Sequence, residues 1–336
     1  MTETATKSEA RNLLEASILK WGKKFGRETN AEMVDLITKI HEEEGKDYTG
    51  VKVQKGIKYG EDERQRLDVY YPADATPKSA LPTVVFFHGG GMVFGDTDVT
   101  PLFHSHIGNF FASNGCILIS ATYRLLPQAA HPSGAEDAAL AISWAISNSS
   151  NYGGSPSKSL TIVGHSAGGS ITGTALWGGY LSLPTSAIPA SILANSTFIF
   201  LSAGLWYDVL NPPTSINMAK YHRTDDVEKI RKEMPVALFK GAGKDVMSVW
   251  PRMRWFLSEW EFEEIVKGTE GCQEAWGEVF GEADGEEEEG DGEGGLEVEM
   301  VWGENHVSYV YGIGTEGSWI SERLLEIVKG GGEGEE

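Results

Sequence analysis

Cysteine is scarce in this sequence. Only Cys116 and Cys272 occur among the 336 residues. Two thiols cannot build a disulfide framework, and they are too few for a zinc site made of cysteines. Such sparing use of cysteine is typical of a reducing compartment, so we expect a cytoplasmic protein.

Basic residues and long apolar segments are also few. The 28 lysines and arginines stand against 49 aspartates and glutamates, which gives a net charge of -21. We therefore expect no nucleic-acid partner, because this charge opposes phosphate binding. The longest apolar stretch, from Ile188 to Trp206, is interrupted by polar residues at 195–197, and residues 1–11 do not have the pattern of a secretory signal. We expect no membrane span.

The acidic residues are concentrated in two segments. Residues 269–296 contain eleven aspartates or glutamates and no lysine or arginine, and residues 331–336 add three glutamates. Without these two segments the net charge would be -7, an ordinary value for a folded domain. The run from Gly281 to Gly295 offers little apolar area to bury. We therefore predict a disordered acidic insert at about 269–296 and an acidic tail at 331–336.

Hydrophobic periodicity predicts two amphipathic helices, then strands that alternate with helices. The predicted helices are Ala10–Trp21, Ala31–Glu43, Pro101–Ser113, Ala135–Ser147, Ala167–Tyr180, Ser248–Val266 and Ser318–Val328. The predicted strands are Val51–Tyr59, Arg66–Tyr71, Thr83–Phe87, Cys116–Ala121, Leu160–Val163, Phe198–Leu201, Val236–Phe239 and Val298–Trp302. This alternation predicts an α/β protein with a doubly wound, mostly parallel sheet that begins with antiparallel strands. In such sheets ligands bind beyond the carboxyl ends of the strands.

A serine lies where one of these strands ends. Ser166 stands in the pattern G-x-S-x-G, directly after the predicted strand Leu160–Val163 and before a predicted helix. The pattern alone is weak in a chain with 41 glycines. Between a strand and a helix, however, it predicts a tight turn that exposes the hydroxyl. The backbone N–H of Ala167 then lies at a helix start and points towards an attacked carbonyl group.

A run of glycines follows another strand. His88, Gly89, Gly90 and Gly91 come directly after Thr83–Phe87. Three glycines carry no side chain that would keep a ligand oxygen from the backbone N–H groups, which is typical of an oxyanion site. We predict that His88 fixes this loop through hydrogen bonds and does not transfer protons.

A nucleophilic serine requires a base, and the base requires an orienting acid. Of the eight histidines, His306 follows a late predicted strand and opens a loop. His165 adjoins the serine, but neighbours on a sharp turn point apart. Asp245 comes just after the predicted strand Val236–Phe239, so we predict it as the acid, with Asp208 as its competitor.

Taken together, the motifs resemble those of the hormone-sensitive-lipase-like esterase family of α/β-hydrolases. Members of that family pair an HGGG loop, here 88–91, with a G-x-S-A-G-G turn, here 164–169. The segments 123–127 (Y-R-L-L-P) and 131–137 also resemble family segments, and the resemblance covers about Arg66 to Val328. His165 stands where the family usually has aspartate. The resemblance implies the α/β-hydrolase fold, with a mostly parallel eight-stranded sheet, helices on both faces and a helical cap.

The resemblance also implies a role for each matching residue. It makes Ser166 the nucleophile, His306 the base and Asp245 its partner. The implied oxyanion donors are Gly90, Gly91 and Ala167, with His88 and Gly89 orienting the loop. Residues 1–45 are then cap helices, residues 46–330 the catalytic domain, and about 204–233 a further cap insertion. Candidate pocket residues in the cap segments are Met33, Leu205, Trp206, Tyr207 and Met218.

These residues predict a carboxylic ester hydrolase that acts on small, rather apolar esters through an acyl-enzyme. The partner is then a small-molecule ester, and the chemistry needs no cofactor or metal. Hydrolysis of a formamide, carbamate or lactone uses the same tetrahedral intermediate and stays an alternative. A non-hydrolytic binding protein of the same fold is the other alternative.

Overall fold

An eight-stranded sheet forms the centre of the molecule. The computed structural model describes residues 8–186, 188–281 and 296–330. Its strands are β1 (Val51–Lys58), β2 (Arg66–Pro72), β3 (Thr83–Phe87), β4 (Ile117–Ala121), β5 (Leu160–His165), β6 (Thr197–Leu201), β7 (Arg252–Trp260) and β8 (Val298–Asn305). The order across the sheet is β1-β2-β4-β3-β5-β6-β7-β8. β2 is antiparallel to both of its neighbours, and the strands from β4 to β8 are parallel.

Helices connect these strands and cover the sheet on both faces. In the described residues they are α1 (Glu9–Trp21), α2 (Arg27–Glu44), α3 (Ser105–Ser113), α4 (Ser133–Asn148), α5 (Ala167–Trp177), α6 (Ala190–Ala194), α7 (Thr214–His222), α8 (Val227–Glu233), α9 (Pro235–Lys240), α10 (Lys244–Met247), α11 (Glu263–Phe280), α12 (Ser308–Tyr311) and α13 (Trp319–Lys329). The predicted fold, a mostly parallel sheet of eight strands with helices on both faces, is confirmed.

Alternate side chains of each strand enter two different cores. In β3, Val85 and Phe87 pack in the larger core, which includes residues of α4, α5 and α9. Val84 and Phe86 pack on the other face, against residues of α3 and α13. All five residues of β3 are buried, as expected for a parallel strand that is covered on both sides.

The secondary structure between β6 and β8 differs from the prediction. The apolar run Val236–Phe239 belongs to helix α9, which begins with Pro235 in its first turn, a position that suits proline. The strand lies further along, at β7, inside the segment Ser248–Val266 that was predicted as a helix. β7 pairs with β6 and β8, and its residue Trp255 is buried. Both predictions were therefore wrong.

The acidic insert is also partly folded. Helix α11 runs to Phe280, so the prediction of disorder fails for residues 269–280. Glu270, Glu274 and Glu278 recur at every fourth position and are exposed, while Cys272 and other small or apolar residues on the opposite side are buried. This is the pattern of an amphipathic surface helix. The rest of the predicted insert, at 282–295, and the tail at 331–336 lie outside the described residues.

Two segments lie over the carboxyl edge of the sheet. We call residues 8–45 and 204–233 the cap, because α2 from the first and α7 from the second contribute to the wall of one cavity above that edge. α1 and α2 pack on each other and on β8 and α12. No helix among the described ranges is long and apolar enough to cross a membrane.

Candidate active site

Ser166 occupies a strained turn between β5 and α5. Its backbone has φ 52° and ψ -115°, in the region that residues other than glycine rarely adopt. The flanking glycines make the turn sterically feasible. A Cβ at Gly164 would come within 2.7 Å of the backbone of Gly168, and one at Gly168 would overlap the carbonyl oxygen of Phe87. The turn therefore presses α5 closely against β3 and β5 and holds the serine at the carboxyl edge of the sheet.

His306 follows β8 and lies next to the serine. Its Nε2 is 2.9 Å from the Ser166 Oγ, and its Nδ1 is 2.8 Å from Oε1 of Glu261. The serine hydroxyl thus donates to Nε2, and the Nδ1–H donates to the carboxylate. His306 and Glu261 are 2% and 1% exposed, so the hydrogen bond between them is shielded from water. The structure brings together Ser166 and His306, as predicted, with an acid that the sequence analysis missed.

Glu261, and not Asp245, is the partner of His306. Asp245 lies on the short helix α10 and is exposed, so the prediction of Asp245 as the orienting acid was wrong. The competitor Asp208 accepts hydrogen bonds within its own loop, from Leu210 and Asn211. The physical reason is the position of the strand: β7 ends at Trp260, and the next residue is Glu261.

The carboxylate of Glu261 is held at three points. Oε2 accepts a hydrogen bond from Ser258 Oγ at 2.9 Å, and Oε1 accepts one from the backbone N–H of Phe262 at 3.1 Å. The third is the Nδ1–H of His306. These donors satisfy a carboxylate that is withdrawn from water and keep it pointed at the imidazole. A carboxylate directly after a strand, like the serine and the histidine, was the signal that could have found it.

His165 supports the base through the backbone. Its Nε2 lies 2.9 Å from the carbonyl oxygen of His306. Burial holds the pKa of His165 well below the ordinary value, with the neighbouring His306 acting in the same direction, so the ring is neutral and its Nε2–H donates to that carbonyl. The His165 Nε2 thus faces the backbone of His306 and not the Ser166 hydroxyl. It connects β5 to the loop after β8.

The glycine loop after β3 lies against the serine turn. A Cβ at Gly89 would come within 3.0 Å of the His165 ring and 3.2 Å of the Ser166 Cβ. At Gly90, φ is +122°, and a Cβ would overlap the carbonyl oxygen of Phe94. A side chain is therefore excluded at Gly90 and crowded at Gly89, and the backbone itself forms the wall beside the serine hydroxyl. Gly90, Gly91 and Ala167 all border the same cavity.

His88 lies under this loop and is completely buried. Its Nδ1–H donates to the carbonyl oxygen of Gly89 at 2.7 Å, and its own carbonyl oxygen accepts a hydrogen bond from the Tyr123 hydroxyl at 2.8 Å. The rings of His88 and Tyr123 stack at 4.6 Å. Burial lowers the pKa of His88 to about 3, so the ring is neutral at ordinary pH. These contacts hold the loop in place.

A cavity of about 660 Å³ opens above Ser166 and His306. Aromatic and aliphatic side chains form most of its wall, including Trp206, Tyr207 and Met218, three of the five predicted pocket residues. The other two do not line it. Met33 is buried against the Asn305 amide and the apolar residues around α1 and α2. Leu205 is buried in the large core. Both pocket predictions were wrong because these side chains face the interior.

Two aromatic rings enclose the imidazole. Phe25, in the turn between α1 and α2, lies 4.8 Å from the His306 ring, and Phe262, directly after Glu261, lies 4.7 Å from it. The two phenyl rings are nearly parallel, 5.9 Å apart. Phe25 is 39% exposed, so the first cap segment reaches the reacting groups through a side chain at the surface of the cavity. Sequence analysis did not identify either ring.

Sequence comparisons relate part of the chain to known esterases. The BD-FAE family model matches residues 67–181. The chain is 28% identical over 214 residues to a probable isoprenylcysteine alpha-carbonyl methylesterase of Oryza sativa, which is 61% of this chain and 48% of that protein. It is 36% identical over 105 residues to the carboxylesterase NlhH of Mycobacterium tuberculosis, which is 31% of each chain. The matches thus span about half or less of the length of these relatives.

Comparison of the folds extends the similarity to nearly the whole chain. Esterase B of Lactobacillus rhamnosis, solved with a C4-C4 tributyrin phosphonate, has a TM-score of 0.66 at 15% identity and covers 96% of each chain. A hormone-sensitive lipase from a metagenome library has a TM-score of 0.60 at 19% identity, over 97% of this chain and 99% of the other. The similarity therefore extends beyond the residues that the family model matches, to include β7, β8 and the cap.

Proposed function

We propose that this chain is a serine hydrolase that cleaves small, rather apolar carboxylic esters, a proposal that its sequence similarity to known carboxylesterases and its fold similarity to a hormone-sensitive lipase support. The observation that carries the proposal is the hydrogen-bonded series from Ser166 through His306 to Glu261, with distances of 2.9 and 2.8 Å, at the floor of a largely apolar cavity. A nucleophile, a base and an orienting acid in this arrangement suit acyl transfer.

In the proposed first step, His306 Nε2 takes the proton of the Ser166 hydroxyl as its oxygen attacks the ester carbonyl. The oxyanion that forms accepts hydrogen bonds from backbone N–H groups of Gly90, Gly91 and Ala167. The imidazolium then gives its proton to the leaving alcohol, and an acyl group remains on Ser166. Water repeats the sequence, with His306 again as base, and releases the acid.

Glu261 is proposed to act through His306. Its carboxylate holds the proton on Nδ1, so that Nε2 presents a lone pair to the serine, and its negative charge stabilises the imidazolium of the intermediate step. Phe25 and Phe262 pack against the His306 ring. They strengthen its interaction with Glu261, because they keep water away from the imidazole. Cap and catalytic domain together would thus form the reaction site.

The cavity supports the choice of substrate class. Its volume lies in the range of small-molecule sites, and its wall is mainly apolar, with Arg27, Asn30, Asn217 and Glu264 among its polar residues. We propose that the acyl and alcohol groups of the substrate are short and largely apolar. The partner is then a small ester in a cytoplasmic setting, which agrees with the two free, buried cysteines.

The test is a combination of labelling and hydrolysis. A fluorophosphonate probe, followed by peptide mapping, should modify Ser166, and p-nitrophenyl esters of increasing acyl length should be hydrolysed with a preference for short chains. The variant Asp245→Asn, at an exposed carboxylate, is the matched control for Glu261→Gln. Hydrolysis of formamides, carbamates or lactones in preference to every ester would change the substrate class. Absence of labelling at Ser166 in folded protein would refute the proposal and favour a binding protein.

A further inference from the structure

A second cluster of chemically active side chains lies outside the active site. Two histidines and a glutamate, His131, His222 and Glu233, each offer one ligand atom, and these atoms all lie within 4.8 Å of one another. Among the described residues this is the one group of three histidine, cysteine or carboxylate side chains that is compact enough to hold a metal ion. We call it the His-Glu cluster.

The His-Glu cluster joins the cap to the catalytic domain. His222 and Glu233 are the last residues of α7 and α8, so two cap helices end there. His131 lies in the catalytic domain, two residues before α4, and its backbone N–H donates to the carbonyl oxygen of Tyr221 at 2.8 Å. The three ligands are therefore presented by two separate parts of the chain that backbone contact already holds together.

The geometry within the cluster is close. His222 Nδ1 lies 2.7 Å from Glu233 Oε2, and the two imidazole rings stack with centroids 4.6 Å apart. His222 is 8% exposed, and His131 and Glu233 are partly buried. The cluster is thus sheltered, with access from the side of His131 and Glu233.

Both imidazoles are available as neutral ligands. Burial lowers the pKa of His131 to about 4, and the adjacent His222 acts in the same direction. Burial also lowers the pKa of His222, although Glu233 opposes the effect. Lys229 is the other charged group facing the pair, and it lowers both values. A neutral imidazole has a free nitrogen lone pair, which is what a metal ion requires.

We propose that His131, His222 and Glu233 bind one divalent transition-metal ion that fastens α7 and α8 of the cap to the catalytic domain. Two imidazole nitrogens and a carboxylate oxygen suit Zn²⁺, Co²⁺, Ni²⁺ or Cu²⁺, whereas Mg²⁺ and Ca²⁺ prefer oxygen ligands alone. Metal-ligand bonds of about 2.0–2.2 Å place neighbouring donor atoms of a tetrahedral site about 3.3 Å apart. The ligand atoms here lie within 4.8 Å of one another, so binding would shorten the widest separation by up to about 1.5 Å, and a water molecule would fill the fourth position.

A metal ion in the His-Glu cluster would affect the cavity above Ser166 through helix α7. Met218, on the same helix as His222, lines the substrate cavity. A metal ion at the end of this helix would fix the wall of the cavity without touching the reacting groups. The site is therefore structural, and the inference does not depend on the proposed function.

The experiment measures metal binding to the full-length protein. After treatment with a chelator, Zn²⁺ is titrated by calorimetry in the presence of excess Mg²⁺, which occupies sites made of carboxylates alone, including those in the acidic segments. We expect one Zn²⁺ per chain and a rise in Tm on its addition. His131→Gln should weaken this binding at least about tenfold, as should Glu233→Gln. Titration with Co²⁺ adds a spectroscopic signature of nitrogen and oxygen ligands.

Matched controls separate the His-Glu cluster from other carboxylates. Glu228→Gln removes a charge from the same helix α8, at an exposed residue that pairs with Arg231, and should leave Zn²⁺ binding unchanged. His222 is buried and its variant is open to misfolding, so the more accessible His131 and Glu233 carry the test. No Zn²⁺ binding above that of the His131→Gln variant, or equal weakening by Glu228→Gln, would overturn the proposal. Neither outcome bears on ester hydrolysis, which is measured separately.

Discussion

Glu261 is the proposed orienting acid, and a conservative substitution of this residue tests that role. Glu261→Gln keeps the size and shape of the side chain but removes its charge. The backbone N–H of Phe262 and the Nδ1–H of His306 both require an acceptor at the Oε1 position, so we expect the amide oxygen to remain there and the amide nitrogen to face Ser258. The His306 tautomer is then retained, and the lost contribution is the charge that stabilises the imidazolium.

The size of this contribution follows from the burial of the pair. A hydrogen bond to a charged, buried partner contributes about 1.5–3 kcal/mol, against about 0.5–1.5 kcal/mol for a neutral one. The imidazolium also loses its only buried counter-charge within hydrogen-bond distance in the described part of the chain, so we expect a total loss of about 3 kcal/mol, which is a fall of about 100-fold in kcat/KM. If the amide turns its nitrogen to Nδ1, the wrong tautomer forms and the loss approaches about 10,000-fold.

The assay is p-nitrophenyl butyrate hydrolysis, together with the rate of fluorophosphonate labelling and a thermal melt. Asp245→Asn, at the exposed residue on α10, is the control and should retain wild-type kcat/KM and Tm. The proposed role of Glu261 is wrong if folded Glu261→Gln protein keeps more than about a tenth of the wild-type rate, or if Asp245→Asn loses as much activity as Glu261→Gln.

Three further predictions concern other parts of the molecule. Ser166→Ala should leave the Tm unchanged and reduce ester hydrolysis below about one per cent of wild type; a higher residual rate in pure protein would contradict the proposed nucleophile. Gly90→Ala should displace the glycine loop, because its Cβ overlaps the Phe94 carbonyl oxygen at a φ of +122°, and should lower kcat about 100- to 1,000-fold with little change in KM; wild-type kcat would show that this N–H is not a donor. Burial raises the pKa of Glu304 from 4.5 to about 7. The contribution of the Glu304 carboxyl group to the free energy of unfolding is therefore fully present below pH 4.5 and is lost as the pH rises to 7. Glu304→Gln should therefore gain free energy of unfolding relative to wild type across that interval, by at most about 3 kcal/mol, measured by denaturant unfolding at several pH values; a difference that does not change with pH would contradict this.

The sequence located most of the proposed reacting groups because each follows a strand that is easily recognised. The limits of β3 were predicted to the residue, and Ser166 and the glycine loop come directly after short, wholly buried runs whose neighbours are sterically restricted. His306 follows an equally clear strand. In a parallel sheet the carboxyl ends meet at one edge, so correct strands were sufficient to bring these groups together.

The acid was missed because one strand was placed too early. A short apolar run such as 236–239 fits a buried helix as well as a strand, and Pro235 directly before it favours the start of a helix. The charged residues Arg252 and Arg254 alternate with Met253 and Trp255 at the start of β7, and this alternation indicated a strand. A strand at that position ends at Trp260, directly before Glu261.

The orientation of cap side chains could not be read from the sequence. On α2, Asn30 and Val34 line the cavity, whereas Met33 points into the apolar contact with α1. These three residues lie within about one turn of the same helix. Which face of a cap helix meets the cavity depends on how the helix docks, and a periodic pattern with apolar residues on two faces does not determine that.

The position of the connection between α11 and β8 has a practical consequence. α11 carries the chain away from Glu261 for 18 residues, which is about 27 Å. β8 then returns the chain to His306, which follows the carboxyl end of that strand. Leu296, just before the start of β8, therefore lies at the opposite edge of the sheet from Glu261 and His306. This junction is a natural place to graft a fluorescent label or an affinity peptide away from the proposed active site.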